Sequence, residues 1–75
     1  MMTRDLKTIA LDIRRDWKNV SPHAEPYLKA MSALHSINDN YYQDSAKSVV
    51  GRFLANSGGW RGEVARSIKV ELKNL

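Results

Sequence analysis

Leu6, Ile9, Ala10, Ile13 and Trp17 return at the three-and-four spacing of an α-helix, and the same period recurs in three later stretches of the chain. At about 100° per residue these five side chains fall within one sector about 100° wide, the width of a stripe that faces a core. A chain patterned in this way buries one side of each segment against the others. The pattern predicts an all-α fold, a compact single-domain bundle of four short helices spanning residues 1–75.

The first helix is expected from about Arg4 to Lys18, with Thr3 as its N-cap. Its outer side is divided by charge. Arg4, Lys7, Arg14, Arg15 and Lys18 share a second sector around Leu11, while Asp5, Asp12 and Asp16 line the opposite flank. Ser21-Pro22 opens the next segment as a cap followed by proline does, and the main second helix is expected from Glu25 to Ser36. Tyr27, Ala30, Met31, Leu34 and Ile37 line one face of it. The run Asn38 to Asp44 is rich in side chains that compete for backbone hydrogen bonds, so it reads as the longest loop. Tyr41-Tyr42 is a candidate recognition tip there, with one ring expected to fold back over the core.

Asp44 or Ser45 caps the third helix, expected to run to about Asn56 with Ala46, Val49, Val50, Phe53 and Leu54 inward. Gly51 and Ala55 form a small face beside that stripe. A glycine inside a helix costs about 1 kcal/mol relative to alanine, which points to close approach of a neighbouring helix. That neighbour is expected within the same chain; a homodimer is permitted but not indicated.

Asn56-Ser57-Gly58-Gly59 then reads as a hinge, with Gly58 or Gly59 in the left-handed conformation that ends a helix. Trp60 is expected to begin the fourth helix, whose stripe is Val64, Ala65, Ile68, Leu72 and Leu75. Arg66, Lys69 and Lys73 lie along one flank of it. The glycines match neither the Walker loop nor the dinucleotide fingerprint, and no strand precedes them. A weaker reading remains, an anion held at the helix start beside Arg61. Trp60 is either a core wedge or an exposed stacking platform, and the scarcity of large side chains favours the core. The expected core is Trp17, Tyr27, Met31, Leu34, Val50, Phe53, Leu54, Val64, Ile68 and Leu72.

No catalytic, cofactor or metal residues emerge. The chain has no cysteine, and its two histidines are twelve positions apart. Ser21, His23 and Glu25 sit around a proline turn with no reason for triad geometry, and His35 reads as a partly buried structural histidine. The chain is therefore expected not to be an enzyme. The lack of cysteine points to a reducing, cytoplasmic setting. No apolar run reaches the roughly 18 residues of a membrane span, and no signal-peptide core follows the N-terminus, so no membrane partner is expected.

Twelve Lys and Arg against eight Asp and Glu give a net charge of +4, and nine of the twelve cations lie in the first and fourth helical segments. Two readings stand side by side: the cations solvate the outer faces of the two helices, or, since a merely solvating surface would mix the signs, their segregation from the acidic strip makes a binding face. The candidate partner-binding residues are Arg4, Lys7, Arg14, Arg15 and Lys18 on the first segment, with Trp60, Arg61, Arg66, Lys69 and Lys73 on the fourth. The expected function is a small non-enzymatic module that docks an acidic protein surface. The alternative is a sequence-tolerant DNA or RNA binder, although no tight-turn recognition helix is present.

Four stretches, IRRDWKNV at 13–20, EPYLKAM at 25–31, FLAN at 53–56 and WRGEVAR at 60–66, together resemble small uncharacterised proteins of bacteria and of their phages and mobile elements. The likeness runs through nearly the whole chain. It implies an accessory role in phage or plasmid biology through binding a host or phage macromolecule. It implies no cofactor and no catalytic residue.

Overall fold

Helices form where the apolar period places them, though each is shorter than its pattern. In the computed structural model, which describes residues 4–75, they are α1 (Leu6–Asp16), α2 (Glu25–Met31), α3 (Ala46–Ala55) and α4 (Glu63–Lys73). Thr3, the expected cap of the first helix, lies outside the described residues. None of the described helices is long and apolar enough to cross a membrane.

The all-α expectation is corrected between α2 and α3. There the chain forms an antiparallel hairpin, β1 (Asn40–Tyr41) and β2 (Asp44–Ser45), pairing Asn40 with Ser45 and Tyr41 with Asp44. The polar side chains that signal a loop are what hold the base of this hairpin. The Asp39 carboxylate accepts the backbone N–H groups of His35 and Ser36 at 3.0 and 3.1 Å, and its carbonyl accepts the N–H of Ala46 at 2.8 Å. With both ends fixed, the backbone between them pairs as a ladder. Tyr41 packs against the core, while Tyr42 turns the hairpin at φ 56° and is 86 % exposed.

The ends of α1 and α2 satisfy one another. The N–H groups of Leu6 and Lys7, orphan donors of a first helical turn, donate to the carbonyls of His35 and Leu34, each at 3.0 Å. Asp5 occupies the N-cap position without a side-chain bond. The second helix stops at Met31 rather than Ser36 because its last bonds tighten, from Ala33 to Ala30 and from Leu34 to Met31. The carbonyls beyond that point are turned toward α1. His35 follows the chain out and is exposed, against the expectation of a partly buried histidine.

The α1 stripe is buried in full: Leu6, Ile9, Ala10, Ile13 and Trp17. Met31, Leu34, Val50, Phe53, Ile68 and Leu72 join it as expected. Tyr27 and Leu54 only flank the core, and Val64 is 44 % exposed. Leu28 is wholly buried in place of Tyr27, because the short α2 turns Ala24, Leu28 and Met31 inward, at i, i+4 and i+7. Ser45 caps α3, accepting the Ser48 N–H at 3.1 Å. Gly51 is exposed, and a Cβ built on it meets nothing within 4 Å. The close-packing role expected of it is therefore overturned: α3 buries Ala46, Val49, Val50 and Phe53 and leaves Gly51 and Ala55 toward solvent.

Candidate partner-binding site

The link from α3 to α4 ends α3 without a left-handed residue. The N–H groups of Asn56 and Ser57 donate to the carbonyls of Phe53 and Leu54, and the buried Ser57 hydroxyl donates to Leu54 O at 2.9 Å. These bonds satisfy the terminal carbonyls that a left-handed glycine serves elsewhere. Positive φ among the described glycines falls at Gly62 (φ 113°, ψ −176°), the N-cap of α4, rather than at Gly58 or Gly59. The fourth helix thus begins at Glu63 and not at Trp60.

Trp60 is the wedge of this link. It is buried, stacks on Trp17 with centroids 5.9 Å apart and planes 10° from parallel, and meets Phe53 edge to face at 6.4 Å. Its indole N–H donates to Asp16 Oδ2 at 2.7 Å. Lys69 ties the same loop to α4, donating from Nζ to the carbonyls of Ser57 at 2.9 Å and Trp60 at 2.7 Å. That Nζ lies 5.8 Å from the Trp60 ring centre, within reach of its π face.

The two basic stripes do not merge. On α1, the acidic flank faces α4: Asp12 pairs with Arg4, Arg4 reaches on to Glu71 at 2.7 Å, and Asp16 holds Trp60. The Arg4 hydrogen bonds hold the Glu71 carboxyl below the usual carboxylate range and keep the Arg4 guanidinium more firmly protonated. Arg15 lies near Asp12 at 3.5 Å on the outer side. Lys7, Arg14 and Lys18 occupy the opposite flank, toward α2, where Arg14 pairs with Glu25 at 2.9 Å. Lys7 and Lys18 are exposed, with no ion pair among the described residues.

On α4 the positions facing α1 are Val64, Ser67 and Glu71, which leaves Arg66, Lys69 and Lys73 on the far flank. Arg61, Arg66 and Lys73 are exposed there, and none pairs with a carboxylate among the described residues. Burial, and then the charges of Lys73 and Arg61, push the Lys69 ammonium below its ordinary range. A groove of about 310 Å³ opens on this flank, lined by Trp60, Arg61, Gly62, Ala65, Arg66 and Lys69. A larger depression of about 660 Å³ lies in the α1–α4 seam, but Arg4, Arg15, Asp12, Asp16 and Glu63 line it with both signs of charge.

Of the ten candidates, then, Arg61, Arg66, Lys69 and Lys73 share one flank with a groove, and Trp60 forms its inner wall. Arg4, Arg14 and Arg15 are engaged by carboxylates, and Lys7 and Lys18 stand on another side of the molecule. Gly62 and Ala65 complete the groove without having been candidates. A glycine just ahead of the fourth apolar stripe was the available signal for Gly62, whereas Ala65 reads in the sequence only as a member of that stripe. Both histidines are exposed, and no group of three or more metal-ligating side chains occurs among the described residues. Comparison with protein-family models, with characterised proteins and with solved structures finds no match.

Proposed function

We propose that the chain is a small non-enzymatic binding module that docks an acidic protein surface through the far flank of α4. The reading rests on one observation. Arg61, Arg66 and Lys73 gather around Lys69 with no carboxylate partner among the described residues, while Arg4, just before α1, and Arg14 and Arg15 on it are each paired. Like charges held together raise the local potential, and an acidic partner supplies the missing countercharge while steering encounter. The resemblance to phage and mobile-element proteins would place that partner among host or phage macromolecules.

Sequence-tolerant binding of single strands uses exposed aromatic rings as stacking platforms. On this flank the one aromatic, Trp60, is buried against Trp17 and Phe53. The acidic protein surface is therefore preferred to nucleic acid. The test is a fluorescence titration of an oligoglutamate peptide and of random duplex DNA at about 50 and 200 mM salt, a range over which counterion release is large. The peptide is expected to bind, and R61Q/R66Q/K73Q to abolish binding where K7Q/K18Q does not. Tighter binding of DNA, with a log-log salt slope near −0.9 per phosphate contact, would transfer the flank to nucleic acid. No binding of either at tens of micromolar overturns both.

A further inference from the structure

Three cationic side chains, Arg61, Arg66 and Lys69, line one groove whose inner wall is Trp60. Lys69 is held in place: two of its three N–H donors are spent on the carbonyls of Ser57 and Trp60, and the third has no acceptor among the described residues. The two arginines add planar forks suited to paired oxygens, and neither meets a carboxylate of its own chain among the described residues. An ammonium fixed by its own backbone is preorganised, so a ligand meeting it does not first order a flexible side chain.

A partner carboxylate brings one negative charge and two oxygens. A phosphate monoester brings a charge of about −1.5 to −2 and three acceptor oxygens, which matches three cations lining one groove better. We infer that the groove receives a phosphate monoester carried on a side chain of the acidic partner, so that phosphorylation of the partner controls docking. This rests on the docking role proposed for α4. Arg61 and Arg66 grip the oxygens, Lys69 contributes its remaining N–H, and Lys73, outside the groove, adds only to the general attraction of the flank.

The experiment titrates the ¹⁵N-labelled full chain with three acidic peptides that differ at one position, which is Ser, Glu or phosphoserine. The phosphoserine peptide is expected to bind about tenfold more tightly than the Glu peptide, the effect of one further charge-assisted hydrogen bond. Amide shifts should centre on residues 61–69. R61Q/R66Q should bring that ratio near one, whereas K73Q should weaken all three peptides and preserve the ratio. Equal binding of the Glu and phosphoserine peptides overturns the inference and leaves the docking role standing. Inorganic phosphate is the fourth ligand: shifts at the groove with phosphate but with none of the peptides would support a free-phosphate site and overturn the docking role. No shifts with any ligand overturn both.

Discussion

The indole N–H of Trp60 donates to the carboxylate of Asp16 at 2.7 Å, joining residues 44 positions apart in the chain. The bond brings the loop before α4 onto the last turn of α1, with Trp17 stacked on the same indole. The acidic flank of α1 thereby serves the internal seam of the fold rather than an external partner. Trp60→Phe keeps most of the ring contact and loses the donor, so it should destabilise by about 1 kcal/mol. Trp60→Ala also opens a cavity and should destabilise by about 3 to 5 kcal/mol. Urea denaturation measures both, and a Trp60→Ala loss below about 1 kcal/mol would contradict the wedge.

Gly62 and Gly59 should respond oppositely to alanine. At φ 113° and ψ −176°, Gly62 holds a conformation nearly closed to L side chains, and Gly62→Ala should destabilise by about 1 to 3 kcal/mol. Gly59 has ordinary φ and open space around its missing Cβ, so Gly59→Ala should lie within about 0.5 kcal/mol of the parent. The reverse order in thermal melts would return the hinge to Gly58-Gly59.

Gly51→Ala should stabilise by about 0.5 to 1 kcal/mol, because the position is an exposed helix interior with nothing for a methyl group to strike. Destabilisation in the same assay would show a neighbour packed on that face.

What could be read in the sequence was what repeats. The α1 stripe carries its own period, and all five of its residues are buried. The hairpin depended on Asp39 accepting from His35, Ser36 and Ala46, contacts that a local pattern of Asn and Asp shows only as a loop. The end of α2 depended on α1 taking the carbonyls of Leu34 and His35. The nine cations of the two terminal segments form a basic stripe on each, and their pattern does not say whether the stripes join into one face. Which flanks meet across the seam is a tertiary fact, and it separates Lys7 and Lys18 from Arg66 and Lys73.

Glu71 gives the fold a defined acid response. Hydrogen bonds from Arg4 hold its folded pKa below the ordinary value of 4.5, so the unfolded chain binds the proton more readily. Its stabilisation is present in full above that value and fades as pH falls through the lower folded pKa. Glu71→Gln should lower stability at neutral pH by about 0.5 to 1 kcal/mol, the scale of a partly exposed ion pair. The urea midpoints of parent and variant should converge as pH falls through that lowered folded pKa and the Glu71 carboxylate takes up its proton. Asp39, whose carboxyl is also held low by the Ser36 and His35 N–H groups, is common to both proteins and cancels in the comparison. A gap independent of pH would contradict the Arg4–Glu71 linkage.

The docking role of α4 is tested most directly by mapping where an acidic chain lands. Titration of the ¹⁵N-labelled protein with oligoglutamate should shift the amides of Arg61, Arg66, Lys69 and Lys73 and leave those of Lys7, Arg14 and Lys18 in place. Shifts centred on the α1 cations, with the α4 flank unmoved, would contradict it.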